Sequence, residues 1–116
     1  MANPFVHVEL QTHDLGKAKK FYKGLFDWKF EDTPMDYTMV DVGEGTGGGM
    51  WENSAVPPHW LAYVLVEDVA ATTKKAKSLG AKVLKDVTEV PGFGWLSIIA
   101  DPTGAALGLW QPKTGK

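Results

Sequence analysis

One order of predicted elements occurs twice along the chain, and this repeat limits the fold more than any other sequence feature. Residues 5–11, FVHVELQ, alternate apolar and polar side chains as a half-buried strand does. A helix with one apolar face follows over residues 15–26, and three short strands come after it. Residues 60–66 begin the same order again, and it ends by residue 111. The sequence therefore predicts an α+β chain of two β-α-β-β-β modules.

Two pairs of short matches support a duplication. Asp14-Leu15 corresponds to Asp68-Val69, and each aspartate stands where it can cap a helix. GMWE at residues 49–52 corresponds to GLWQ at residues 108–111. The two pairs are spaced differently, which indicates loops of different length in the two halves. Chance recurrence of short apolar strings is the alternative explanation.

The length of 116 residues suits a single domain. We expect module one at residues 5–52, a linker with two prolines at 53–59, and module two at 60–111. The chain has no cysteine, so disulfides and thiolate metal sites are excluded. With a formal charge of −2 and no basic cluster, nucleic acid and membranes are unexpected partners. The sequence predicts no membrane span and no secretory signal, and these features favour a cytoplasmic protein.

The polar face of the first strand carries the candidate functional residues. Val6, Val8 and Leu10 alternate toward a core, and His7 and Glu9 therefore share the other face. One interpretation is a pair of metal ligands, or a general base with an orienting carboxylate. The other is a buried pair whose members satisfy each other by hydrogen bonding.

Two further histidines have less specific contexts. His13 lies in the turn before the helix, where a capping or surface role is expected. His59 follows two prolines between the predicted modules, and is either a linker residue or a residue at the rim of a cavity.

Three segments together resemble the vicinal oxygen chelate superfamily, which includes glyoxalase I, extradiol dioxygenases and bleomycin-binding proteins. They are HVELQTHDLGKAKKFYKGLFDW at 7–28, VEDVAATTKKAKSLGAKV at 66–83 and VPGFGWLSIIADPTGAALGLWQ at 90–111. The last segment is similar to an uncharacterised glyoxalase-like subgroup. The resemblance implies two β-α-β-β-β modules in a U-shaped sheet around a cavity, the glyoxalase/bleomycin resistance/dioxygenase fold. It also implies a homodimer.

The resemblance further implies a divalent metal ion held by four side chains, one from the first and last strand of each module. Those positions fall on His7, Gly49, Leu61 and Gly108, and only His7 carries a metal-ligating side chain. We therefore expect either no resident cofactor or a divalent ion bound through His7 in an atypical site. The two glycines remove side chains and are expected to leave open space for a ligand.

The correspondence between modules places Leu61 with His7 and Tyr63 with Glu9. His7 and Glu9 are the predicted catalytic pair, and His7 is the predicted metal ligand. The predicted ligand-binding residues are Leu61, Tyr63, Trp95, Gly108 and Trp110. Trp51 and Trp110 occupy matching strands, where they either pack in a core or stack on a flat ligand.

Three functions are consistent with these residues. The first is a glyoxalase-like small-molecule-binding protein with a degenerate metal site and a flat, partly polar ligand. The second is a metal-dependent lyase or isomerase related to lactoylglutathione lyase. The third is a dimeric domain without a ligand of its own. Similarity of fold does not choose between them.

Overall fold

The computed structural model describes residues 2–113, and these residues form eight strands and two helices. The elements are β1 Phe5–Thr12, α1 Leu15–Leu25, β2 Lys29–Asp32, β3 Thr38–Asp41, β4 Gly48–Glu52, β5 His59–Leu65, α2 Val69–Ser78, β6 Lys82–Val90, β7 Gly94–Ala100 and β8 Ala106–Pro112. The predicted α+β class with two β-α-β-β-β modules is confirmed. No helix within the described range is long and apolar enough to cross a membrane.

The chain forms two compact units. The first unit contains Val6–Leu61, and the second contains the rest of the described chain, so the division falls within β5. In the first unit the strand order is β2-β3-β4-β1, and in the second it is β6-β7-β8-β5. In each unit the last strand therefore lies parallel to the first. This register places Glu9 beside Gly49 in one unit and Tyr63 beside Gly108 in the other.

The two helices begin at the aspartates that the sequence indicates. The Asp14 carboxylate accepts a hydrogen bond from the backbone N–H of Lys17 at 2.9 Å. The Asp68 carboxylate accepts one from Ala71 at 3.0 Å. Each bond satisfies one of the donors that a helix N-terminus leaves unpaired.

The core of the first unit lies between α1 and one face of its strands. Leu10, Val40 and Met50 are buried together, and Ala18 and Tyr22 of α1 pack against them. Alternation along β1 then turns Glu9 and its neighbours to the other face. The helix-facing side of β1 thus builds the core, and the opposite side is left for the polar residues described below.

The second unit has its own core, built from Val66, Val69 and Leu109. A polar contact is included in it: the Thr73 hydroxyl donates to the Val69 carbonyl at 2.6 Å and lies 2.7 Å from the Ser97 hydroxyl. Since both side chains are buried, this mutual bonding satisfies their hydroxyl groups.

Candidate functional site

Glu9 is a buried carboxylate held by three hydrogen-bond donors. Its side chain lies on β1 and the residue is only 6% exposed. The Tyr37 hydroxyl donates to Oε1 at 3.0 Å, while the Gln11 amide and the Trp51 indole donate to Oε2 at 2.9 and 3.1 Å. These three donors are neutral groups. They offset part of the cost of burying a carboxylate.

Gln11 is itself positioned by the segment after β4. The Asn53 side-chain amide donates to Oε1 of Gln11 at 3.0 Å, and Asn53 Oδ1 accepts from the backbone N–H of Ala55 at 3.0 Å. Gln11 is therefore fixed at both ends of its amide. This continuous hydrogen bonding holds the Glu9 carboxylate in one orientation.

His7 joins the same cluster through Tyr37. Its Nε2 lies 2.6 Å from the Tyr37 hydroxyl oxygen, and the two rings are stacked with their centroids 6.1 Å apart. Because the Tyr37 hydrogen is donated to Glu9, the hydroxyl oxygen is left to accept from Nε2–H of a neutral imidazole. Burial lowers the pKa of His7, and the nearby Glu9 charge offsets part of that effect. The neutral imidazole is thus favoured, in agreement with this assignment.

Tyr37 covers the glycine that faces Glu9. A β-carbon at Gly49 would collide with the hydroxyl end of the Tyr37 ring. In the second unit, a β-carbon at Gly108 would likewise collide with the ring of Tyr63. The prediction that these glycines leave open space is therefore wrong. In each unit a tyrosine ring fills the space that a missing side chain provides.

The turn before β3 fixes the position of Tyr37. The backbone N–H and the hydroxyl of Thr33 both donate to the Tyr37 carbonyl, at 2.9 and 2.8 Å. Asp36 adopts a left-handed conformation with φ of 57°, which short polar residues tolerate better than most. The backbone of Tyr37 is thus held by its carbonyl, and its side chain projects onto the face of Gly49.

A groove of about 730 Å³ adjoins this cluster. Tyr37 and Trp51, two of the Glu9 donors, form part of its wall, and Met35 adds an apolar surface. Lys19 and Asp32 also line it and form an ion pair with a separation of 2.8 Å. The groove therefore combines two aromatic side chains with a lining that is largely polar and charged.

The chain is similar to known proteins in sequence and in fold. Residues 4–43 match the family described as bleomycin resistance protein-like N-terminal. CFP32 of Mycobacterium tuberculosis, whose name carries a provisional glyoxylase assignment, is 39% identical over 116 residues, with 90% of this chain and 44% of CFP32 covered. Methylmalonyl-CoA epimerase from the same organism has a TM-score of 0.67 at 15% identity, with 95% of this chain and 88% of that chain covered. These similarities support the vicinal oxygen chelate superfamily as the family of this chain.

A further relative is DnrV of Streptomyces peucetius, named as an anthracycline biosynthesis protein. It is 32% identical over 132 residues, with 89% of this chain and 45% of DnrV covered. The chain thus spans less than half the length of both curated relatives.

The metal positions of the vicinal oxygen chelate superfamily do not fit a divalent ion in this chain. His7 directs Nε2 to a phenol, and Gly49 and Gly108 lack side chains and lie under tyrosine rings. Leu61 is apolar and only 2% exposed. Within residues 2–113, His, Asp and Glu side chains form no group of three that could hold a metal ion.

The remaining predicted ligand-binding residues lie in the second unit. Tyr63 is buried against Gly108, as the register of β5 and β8 requires. Trp95 packs against the core of that unit, and the Lys113 ammonium lies 5.3 Å from the centroid of its ring. Trp110 is half-buried. Within this unit the structure brings Tyr63 and Gly108 together, whereas Trp95 lies with the core residues.

Tyr37 is the site residue that sequence reasoning missed. Its contacts with His7 and Glu9 join residues about 30 positions apart. One available signal was glycine itself: Gly49 faces Met39 across β3 and β4, so Tyr37 lies diagonally on the same face. An aromatic ring often covers a glycine in this arrangement of strands.

We expect the free energy of unfolding to fall as the pH is lowered below about 6.5, because the folded state lowers the pKa of His7. Between the folded and unfolded pKa values the unfolded chain binds more protons, so stability is full above 6.5 and decreases with acidification. Urea titrations from pH 7.5 to 5 measure this dependence. His7→Gln should remove part of it and His13→Gln should not. Equal pH dependence in wild type and His7→Gln would contradict the assignment.

Proposed function

We propose that this chain is a glyoxalase-like small-molecule-binding protein with a degenerate metal site, and that its ligand is flat and partly polar. The buried Glu9 carboxylate carries the proposal. Its charge costs folding energy, and an apolar residue on β1 would avoid that cost. A binding role explains why a carboxylate is kept there.

The groove supports the same function. Trp51 offers a ring for stacking and Met35 an adaptable apolar contact. Glu9 and His7 do not line the groove, but they bond to its wall residues Trp51 and Tyr37. They would supply hydrogen bonds to the polar end of a ligand that displaces Tyr37. A hydrogen bond to a charged group contributes roughly 1.5–3 kcal/mol. Anthracyclines, the class in the name of DnrV, are planar and partly polar, which agrees with a ligand of this shape.

A lyase or isomerase reaction is the second candidate. The line of hydrogen bonds from His7 through Tyr37 to Glu9 favours it, since such a line can hold or move a proton at a substrate atom. The provisional glyoxylase name of CFP32 also agrees with it. In this candidate the chain's own side chains perform proton transfer, and His7→Gln should abolish any turnover that is found.

We expect a bound planar ligand to quench tryptophan fluorescence, and Glu9→Gln to weaken its binding roughly tenfold or more. Neutralising Glu9 removes the charge from the strongest acceptor in the cluster while keeping the shape of the side chain. Fluorescence titration with a panel of flat aromatic amides, ketones and hydroxy compounds measures the dissociation constants.

His13→Ala is the matched control for that titration. His13 is exposed and its Nε2 donates to the Val56 carbonyl at 2.6 Å, away from the Glu9 cluster. Its replacement should leave the dissociation constant unchanged. Ligands that are indifferent to both substitutions would show that the proposed site is wrong.

We propose four further properties that the sequence predicts. They are a homodimer, a cytoplasmic location, the module boundaries at residues 5–52 and 60–111, and ligand contacts from the predicted residues of the second unit. Sedimentation measures the first of these directly.

A further inference from the structure

Tyr37 has the geometry of a bound ligand. Its hydroxyl lies 3.0 Å from Oε1 of Glu9 and 2.6 Å from Nε2 of His7, and the end of its ring lies against Gly49. The two protein groups thus converge on one oxygen atom. His7 and Glu9 lie on β1, whereas Tyr37, which supplies this oxygen, lies immediately before β3.

The two contacts require a hydroxyl group. Glu9 as a carboxylate only accepts a hydrogen bond, and neutral His7 donates one through Nε2 in the assigned tautomer. One atom must therefore donate and accept at the same point. A carbonyl oxygen only accepts and an ammonium only donates, so neither satisfies both partners.

Gly49 adds a requirement for a flat group. Any side chain at this position would collide with the ring, so the glycine makes room for a planar group against the backbone. The position between His7 and Glu9 fits a hydroxyl group, and the surface at Gly49 fits a flat ring. A phenol has both, and the phenol of Tyr37 occupies this place.

We propose that the ligand carries an aromatic hydroxyl, which binds between His7 and Glu9 in the place that the Tyr37 hydroxyl holds when no ligand is bound. This proposal rests on the proposed binding function and names the class of its ligand. Tyr37 is then a competing internal phenol, and the ligand displaces it. The remainder of the ligand lies along Trp51 in the adjoining groove.

The surroundings of Tyr37 allow this displacement. Its backbone is held through its carbonyl by Thr33, so the turn keeps its shape when the side chain rotates. The side chain is half-buried and lines the 730 Å³ groove, which provides room for the displaced ring.

The first test removes the internal phenol. Tyr37→Gly should leave a space with the shape of p-cresol, which is the tyrosine side chain as a free molecule. Calorimetry should show that the variant binds p-cresol about tenfold or more tightly than toluene, since toluene lacks the hydroxyl. Wild type should bind p-cresol at least about tenfold more weakly than the variant, because Tyr37 already fills the space.

Glu9→Gln in the Tyr37→Gly background should narrow the preference for p-cresol over toluene. Equal binding of the two probes by Tyr37→Gly would overturn the proposal, because it would show an apolar cavity without hydroxyl recognition.

A second variant covers the case in which Tyr37→Gly does not fold. Tyr37→Phe keeps the ring over Gly49 and removes only the competing hydroxyl. It should bind 2-naphthol about tenfold more tightly than wild type does, and it should prefer 2-naphthol to naphthalene, because only 2-naphthol carries a hydroxyl that can bond to His7 and Glu9. No gain for 2-naphthol would overturn the proposal. Planar amides or ketones that bind in a Glu9-dependent way, with no preference for hydroxyls, would overturn it while leaving the proposed binding function intact.

Discussion

Replacing Gly48 by alanine is expected to lower the free energy of unfolding by about 3 kcal/mol, the upper part of the usual range for overpacking. Gly48 lies in β4 opposite Val8 of the parallel strand β1. A β-carbon at Gly48 would collide with the backbone carbonyl of Val8, and a backbone atom cannot rotate away as a side chain does. The two strands must separate to accept it.

Gly24→Ala is the control for this substitution. Gly24 lies within α1, and a β-carbon there would meet no atom within 4 Å. Alanine should therefore raise the free energy of unfolding by roughly 0.5–1 kcal/mol through its higher helix propensity. Urea unfolding of both variants measures the two opposite effects. A Gly48→Ala protein as stable as wild type would show that β1 and β4 are not packed in this register.

Replacing Met50 by alanine is expected to destabilise the protein by about 2–5 kcal/mol. Met50 has 0% exposure and packs with Leu10 and Val40 under α1. Truncation removes buried apolar contacts and leaves a cavity that the surrounding strands fill only in part. A loss of this size is a large fraction of the roughly 5–15 kcal/mol that stabilises a typical domain.

Met39→Ala in the neighbouring strand β3 gives the comparison. Met39 is 43% exposed, so its truncation should change the free energy of unfolding by less than about 0.5 kcal/mol. Chemical denaturation of both variants tests the difference. Similar losses at the two positions would place Met50 outside the core and contradict the alternation of β4.

Much of the fold could be predicted from local patterns in the sequence. The alternation of FVHVELQ assigns Leu10 to the core and Glu9 to the polar face, because residues of a strand point alternately to opposite sides. Asp14 and Asp68 indicate the helix starts by the chemistry of capping. These signals require only near neighbours in sequence.

The site was harder to predict because its geometry depends on contacts between residues that are distant in sequence. Tyr37 reaches His7 and Glu9 only after the turn at Asp36 and the pairing of β3 with β4 have placed it beside Gly49. The role of Gly49 also depends on that contact, since a glycine alone indicates space but not what fills it. The alternation could place Glu9 on a face, but could not supply its donors.

We propose above all that the ligand binds at the cluster formed by Glu9, Tyr37 and Trp51. The side-chain N–H signals of the five tryptophans in ¹⁵N-labelled protein test it most directly. The Trp51 indole donates to Glu9, and Trp51→Phe identifies its signal. We expect a planar hydroxylated ligand such as 2-naphthol to shift the Trp51 signal most, and Glu9→Gln to abolish that shift. Trp28 and Trp60 line a separate apolar groove of about 260 Å³. An unchanged Trp51 signal, with the largest shifts at Trp28 and Trp60, would contradict binding at the Glu9 cluster.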